Sequence, residues 1–217
     1  MTSVTARAKL RDAGRSRAAI LTAGERLFAE HGFDGASLGD VAAAAGFSRG
    51  TPSYFFASKE RLYQAVLERV FAERQAATVE AFRALTAWAA QGRGSLATAL
   101  KKAVEGYLAF LLDRPEFVRL LQREDLSGGH RLRAVTRESR AMTDAFEALR
   151  RVAPARGLRP FDVEDAVMLF VSLTFSPLTQ RATLLAALER DLENPNTRQR
   201  HVAFVVDQLL HLVGAGS

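Results

Sequence analysis

The sequence predicts an all-α chain. Apolar residues recur at spacings of three and four along most of its 217 residues, and Ala, Leu, Arg and Glu are abundant. No stretch alternates apolar with polar residues as a half-buried strand would. The patterning divides the chain into three parts: a flexible basic arm over 1–13, a helix-turn-helix domain of three-helix type over 14–74, and a larger helical bundle over 75–217. With 48% hydrophobic and 25% charged residues, a chain of this length buries its cores without covalent staples.

The first helix is expected from about Arg15 to His31, where Ile20, Ala23, Leu27 and Phe28 share a face. Gly32 stops it. Ser37 caps the next helix, with Asp40 three residues on completing a capping box. Leu38, Val41, Ala42 and Ala45 then turn inward. Gly46 supplies a left-handed stop and Phe47 a plug for the small core. Ser48 caps a second short helix that reaches Phe55 or Phe56. Pro52 falls at about its fourth position, so one hydrogen bond is expected to be lost. Ser58 caps a long helix in which Leu62, Ala65, Val66, Arg69 and Val70 recur at helical spacing, continuing to about Trp88. Gln91-Gly92-Arg93-Gly94 breaks it.

From Ser95 the apolar series 96, 99, 100, 103, 104, 107, 108, 111 forms one stripe, ending at Asp113-Arg114-Pro115. Pro115 opens a helix to about Asp125, and Ser127-Gly128-Gly129 makes a loop. A helix over 131–152 turns Leu132, Val135, Met142, Phe146 and Leu149 inward. Asp162 caps a helix over 163–175 that is apolar nearly all round, and Pro177 is expected to end it. A short helix fits 183–190. The last helix runs from about Asn196 to Val213, closed by Gly214.

Composition removes several function classes. Cysteine is absent, which excludes disulfides and thiolate zinc sites. The four histidines, His31, His130, His201 and His211, form neither Glu-x-x-His nor His-x-x-x-His pairs, so no metal is expected. There is no Walker loop or dinucleotide fingerprint, and Ser139, Ser172 and Ser176 lack a G-x-S-x-G setting. The expectation is therefore no cofactor and no enzyme. The run Val163–Phe175 contains Glu164 and Asp165 and is shorter than the ~20 residues a membrane span needs. No apolar segment follows the N-terminal basic residues, which points to a cytoplasmic location and no membrane partner. Net charge is +6, and Arg7, Lys9, Arg11, Arg15 and Arg17 face only Asp12 within the first twenty positions. Such a balance suits a polyanion.

Two short helices joined across Gly46-Phe47-Ser48 have the pattern of a helix-turn-helix. A major groove about 12 Å wide admits a helix closely only when its facing residues are small. Ser48, Arg49, Gly50, Thr51, Pro52 and Ser53 are small or polar apart from Arg49. Arginine is the commonest bidentate reader of guanine, and threonine contacts a thymine methyl or an acceptor. Tyr54 and Lys59 suit phosphates, which set register without reading sequence. The caps at Ser37 and Ser58 leave helix N-terminal amides for phosphates as well.

The separated features LF-x-E-x-GF, SLGDVAAAAGFSRGT, Tyr54, Phe56, Ser58-Lys59-Glu60 and Leu62 agree with one family. Over about residues 15–70 the chain resembles the N-terminal DNA-binding domain of the tetracycline-repressor (TetR) family. The resemblance implies an all-helical homodimer that represses transcription and is released by a small ligand. It places Ser37, Arg49, Gly50, Thr51, Ser53, Tyr54 and Lys59 on DNA. The sequence departs from the family where Pro52 and Ser53 replace a bulky aliphatic residue and a tyrosine, and where Phe55 replaces a histidine.

In the bundle, Phe82, Trp88, Tyr107, Phe110, Phe117, Leu121, Met142, Phe146 and Phe170 are candidates to line a mostly apolar effector pocket; core packing is the other reading of each. The resemblance makes the last two helices the dimer bundle. Their candidates are Val167, Phe170, Val171 and Phe175 on the first, and Val202, Val205, Val206, Leu209, Leu210 and Val213 on the second. Isologous pairing then predicts a palindromic duplex operator. A helical small-molecule or partner-binding module with a vestigial helix-turn-helix is the rival reading. Loss of Arg49 or Lys59 would mark it, and both are present.

Overall fold

The computed structural model describes residues 2–136 and 140–215, and the side chains of 12–133, 135 and 140–215. Its elements are α1 (Thr2–Gly35), α2 (Leu38–Ala44), α3 (Thr51–Phe56), α4 (Lys59–Gln91), α5 (Leu96–Asp113), α6 (Pro115–Leu126), α7 (Arg133–Thr136), α8 (Ala141–Val152), α9 (Val163–Thr179) and α10 (Pro195–Leu212). A 3₁₀ turn at Pro154–Arg156 follows α8, and a π-helical turn at Arg181–Leu185 follows α9. No strand occurs among the described residues. The chain forms two compact units. One holds the residues up to Phe71 together with Arg119–Val135, and the other holds Ala72–Val118 together with the chain from Thr136 on. The segment 119–135 packs with the N-terminal unit rather than with the bundle.

The N-terminal unit is built on Ile20, Phe28, Val41, Leu62, Val66 and Leu67, none of which has exposed surface. Gly24 lets α1 approach α4: a Cβ there would meet Val66 Cγ2 at 3.4 Å. At Gly32 the backbone leaves helical geometry (φ 77°, ψ 176°), the expected stop, and one further turn carries Phe33 back against Phe28 and Tyr63. The side chains of 119–135 explain why that segment belongs here. Arg123 donates to the carbonyls of Ala29 and Glu30, the last acceptors of α1 before the kink, where a cation also complements the helix dipole. Tyr63 donates its hydroxyl hydrogen to buried Glu124 at 2.7 Å, and Arg131 lies 4.4 Å above the Phe33 ring. On the outer side of α4, Arg69 bonds Glu25 and Thr22 of α1.

At the other end of α1, the helix starts at Thr2, not Arg15, so the arm expected over 1–13 has helical backbone from Thr2 on. Ala6 to Arg11 are good helix formers, and no glycine or proline precedes Gly14. The side chains of Arg7, Lys9 and Arg11 lie outside the described residues.

In the second unit α5 is the central element, packed against both α9 and α10, while α8 packs on α9. The stripe read from the sequence is the buried one: Leu96, Ala99, Leu100, Ala103, Val104, Tyr107, Leu108 and Leu111. The helix expected over 131–152 appears as α7 and α8, with 137–139, including Ser139, outside the described residues. Pro177 does not end α9, which continues to Thr179. Proline removes the N–H that would bond the Leu173 carbonyl. His201 of α10 supplies the missing donor, with Nε2 2.8 Å from that oxygen. A carbonyl only accepts, so the proton is on Nε2. The short helix expected over 183–190 overlaps the π-helical turn at Arg181–Leu185 and two further helical residues, 186–187.

Candidate nucleic-acid interface

The geometry of α2 and α3 follows from short-range chemistry. Ser37 and Asp40 form the expected box: the Asp40 N–H donates to Ser37 Oγ at 3.2 Å, and the Ser37 N–H donates to Asp40 Oδ2 at 2.9 Å. The Ser37 hydroxyl also donates to Oδ2 at 2.6 Å. That hydroxyl bond, then the backbone one, holds the Asp40 carboxyl below its ordinary acidity range, so it is charged at neutral pH. At the far end, Gly46 is left-handed (φ 74°). Phe47 N–H bonds the Ala42 carbonyl at 2.9 Å and Gly46 N–H bonds Ala43 at 3.1 Å. This pair of bonds is a Schellman stop, and it sets the exit direction of the turn.

The second helix starts later than expected. Gly50, not Ser48, is the N-cap, and α3 begins at Thr51. Ser48 instead shares a 2.9 Å hydrogen bond with the Thr51 hydroxyl. Pro52 therefore sits in the first turn, where an N–H has no helical acceptor anyway, and the expected loss of a bond does not occur. Pro52 is also buried, so it belongs to the small core and leaves the groove-facing set. Ser48, Arg49, Gly50, Ser53 and Tyr54 are exposed, Tyr54 to 84%, and Thr51 is half-buried. Tyr54 meets only the edge of Phe55 among the ring contacts of the described residues, 5.2 Å between centroids, and is open to a partner.

The connection to α4 is a tight turn. Ala57 has φ 64° and ψ −43°, and the Ser58 N–H bonds the Phe56 carbonyl at 2.7 Å. This is a γ-turn with positive φ, a strained form. It fixes α3 against Ser58, whose hydroxyl accepts from the Arg61 N–H at 3.2 Å and so caps α4 as expected. Glu60, bonded to its own N–H and to Ser58, is likewise held below the usual carboxylate range. Lys59 has its ammonium 4.4 Å above the Phe33 ring, which fixes its stem while it is half-buried. Arg17 of α1 stacks over Phe56, the last residue of α3, at 4.9 Å. Sequence reading missed Phe33 and Arg17 as supports, because their partners lie 26 and 39 positions away.

Residues 97–209 match the family described as "Tetracyclin repressor-like, C-terminal domain", and residues 20–66 match "Bacterial regulatory proteins, tetR family". The chain belongs to the TetR family. It is a DNA-binding transcriptional regulator. It is 28% identical over 212 residues to the HTH-type transcriptional repressor NicS of Pseudomonas putida, covering 93% of this chain and 94% of that one. Over 64 residues it is 45% identical to the HTH-type transcriptional repressor AcnR of Corynebacterium efficiens, covering 30% of this chain and 34% of the relative. A TetR family transcription regulator from Marinobacter aquaeolei VT8 has the same fold, with TM-score 0.67 and 21% identity over 94% of this chain and 98% of that one.

Within this TetR-family bundle, the residues expected to line an effector pocket separate into groups. Phe82, Tyr107, Phe146 and Phe170 are buried against one another, with ring centroids 4.9 to 6.1 Å apart. Each ring fills the space beside the next. Met142 is buried, and Phe117 packs on Phe110 with centroids 5.4 Å apart. Leu121 falls in the N-terminal unit. Trp88 is half-buried, with Arg156 stacked over it at 4.4 Å, and lines a 290 Å³ cleft with Gln91, Arg93 and Thr98. A larger cleft of 740 Å³ runs along α4 and α5, lined by Ala77, Ala81, Ala84, Ala87, Gly106 and charged Glu80, Arg83 and Lys102. It uses none of the residues expected.

The dimer candidates also divide by burial. Phe170, Val202, Val205, Val206, Leu209 and Val213 are buried within their own chain, because α5 takes that face of α9 and α10. Val167, Val171, Phe175 and Leu210 are half-buried. The large apolar side chains left open on these helices are Met168, 67% exposed, and Phe204, 50% exposed. Among the described residues no His/Asp/Glu cluster suits a metal ion, and no helix is long and apolar enough to cross a membrane.

Proposed function

We propose that the chain is a repressor that binds a palindromic DNA operator as a homodimer and is released by a small, mostly apolar effector. One observation carries the reading. A Schellman stop and a γ-turn hold a six-residue helix that, with the turn ahead of it, exposes Ser48, Arg49, Gly50, Ser53 and Tyr54. Small polar residues admit the groove, Arg49 reads base edges, and Tyr54 and Lys59 hold phosphates. The relatives NicS and AcnR, both named repressors, support the direction of regulation. Met168 and Phe204, open on the last two helices, support pairing of two copies there. An effector in the bundle shifts the population between a DNA-binding and a released conformer. The continuous helix α4, which begins in one unit and ends in the other, carries that shift. The protein works in the cytoplasm, where its DNA is.

The test is binding to duplex DNA across a salt series. Wild-type affinity falls linearly in log–log form, and Lys59→Ala lowers the slope by about 1.8, one phosphate contact from each subunit of the dimer. A protein with no duplex affinity even at low salt contradicts the proposal.

A further inference from the structure

Gly39 is unexplained by the fold. It is the second residue of α2, and its backbone is not left-handed, so the conformation does not call for glycine. Glycine in a helix is also less favourable than alanine. What Gly39 supplies is space. A Cβ built there would lie 3.2 Å from Arg49 Nε and 3.6 Å from Arg49 Cγ. Arg49 leaves the turn ahead of α3 and lays its side chain back across the first turn of α2, over the missing methyl group. There its charge reaches Asp40, the anion pinned by Ser37, and favours its carboxylate form. A bare carboxylate on a surface that meets phosphates is repulsive. The Arg49 charge, the smallest of the influences on Asp40, offsets part of that repulsion.

We propose that Gly39 is a positioning residue for Arg49: by withholding a Cβ it sets the line along which the guanidinium lies, and so which group on the operator Arg49 reaches. This rests on the operator-binding reading above. Arginine carries large rotamer freedom, and a stem already laid in a track loses less of it when the head group binds. The base preference of the protein is then a property of the pair 39/49, not of Arg49 alone.

The experiment compares wild type, Gly39→Ala, Arg49→Ala and the double variant. Each is selected on randomised duplexes, then titrated on the enriched site and its single-base variants, with melting temperature recorded. Gly39→Ala is expected to melt no lower than wild type, since alanine favours the helix. It is expected to lose about tenfold discrimination at the base pairs that Arg49→Ala also loses, while binding to random duplex stays within about twofold, since phosphate contacts carry no sequence information. The double variant matches Arg49→Ala. Wild-type discrimination in Gly39→Ala overturns the proposal, and so does a Gly39→Ala penalty that persists undiminished in the Arg49→Ala background. A wild type that enriches no site defeats the operator-binding reading itself, and this inference with it.

Discussion

Ser37 serves two ends at once, closing the first turn of α2 and fixing the charge of Asp40. Ser37→Ala is expected to destabilise the N-terminal unit by about 1 kcal/mol, as loss of an N-cap does, read from urea unfolding. It also returns the Asp40 acidity toward 3.8, followed by carboxyl-carbon NMR. The sign is fixed by linkage. Asp40 has a folded pKa below its unfolded one, so its contribution is complete above about pH 4 and is lost as pH falls through the folded value. Near neutrality stability is flat on its account. Glu124 is the second test. Its Oε1 accepts from Tyr63 and Arg131, while its buried Oε2 has no hydrogen-bond partner. Tyr63→Phe is expected to cost about 1–3 kcal/mol, and adding Glu124→Met is expected to recover part of it, because the buried acid that has lost a donor is then gone. Denaturant midpoints of the single and double variants read this directly. The caps Ser37 and Ser58 were legible in the sequence because a cap and its partner lie within three residues, whereas Ser48, read as a cap, gives way to Gly50. The Tyr63–Glu124 bond spans 61 positions and leaves no local pattern.

At the scale of elements, glycine and proline decide the helix-turn-helix. Gly46, at φ 74°, lies where an L side chain is strained. Gly46→Ala is expected to lower the stability of the N-terminal unit by about 1–2 kcal/mol, seen as a lower urea midpoint. Gly39→Ala, in ordinary helical geometry, does not. Gly46 was legible as a left-handed stop after the last inward residue of α2, whereas Gly39 carried no signal in the sequence. Helix identities were legible from periodicity, but three ends were not. The start of α3 was set by Pro52, which takes the first turn of a helix. The start of α1 was set by good helix formers ahead of Gly14. The end of α9 passed Pro177 because His201, 28 residues from Leu173, supplies the donor that proline lacks.

At the scale of the whole molecule, the apolar character of the last two helices pointed to burial, against either the core or a partner. Which face goes where was not legible, since α5 claims one side of both. The side left open predicts the outcome of substitution. Met168→Glu and Phe204→Glu are expected to give monomers of undiminished helicity by sedimentation and circular dichroism. Val205→Glu, on the face with no exposed surface, is expected to unfold the bundle. The candidate DNA-facing residues stand out in the sequence because their motif is short and contiguous. Candidate effector residues do not, because aromatic residues at helical spacing fill a core and line a pocket with the same pattern. Selection of wild-type protein on a randomised duplex pool at physiological salt tests the central claim most directly. The account predicts an enriched palindrome whose half-sites lie about 34–36 Å apart, on successive major grooves, and whose enrichment weakens in Arg49→Ala. Binding that tracks salt alone, with no enriched sequence, would contradict it.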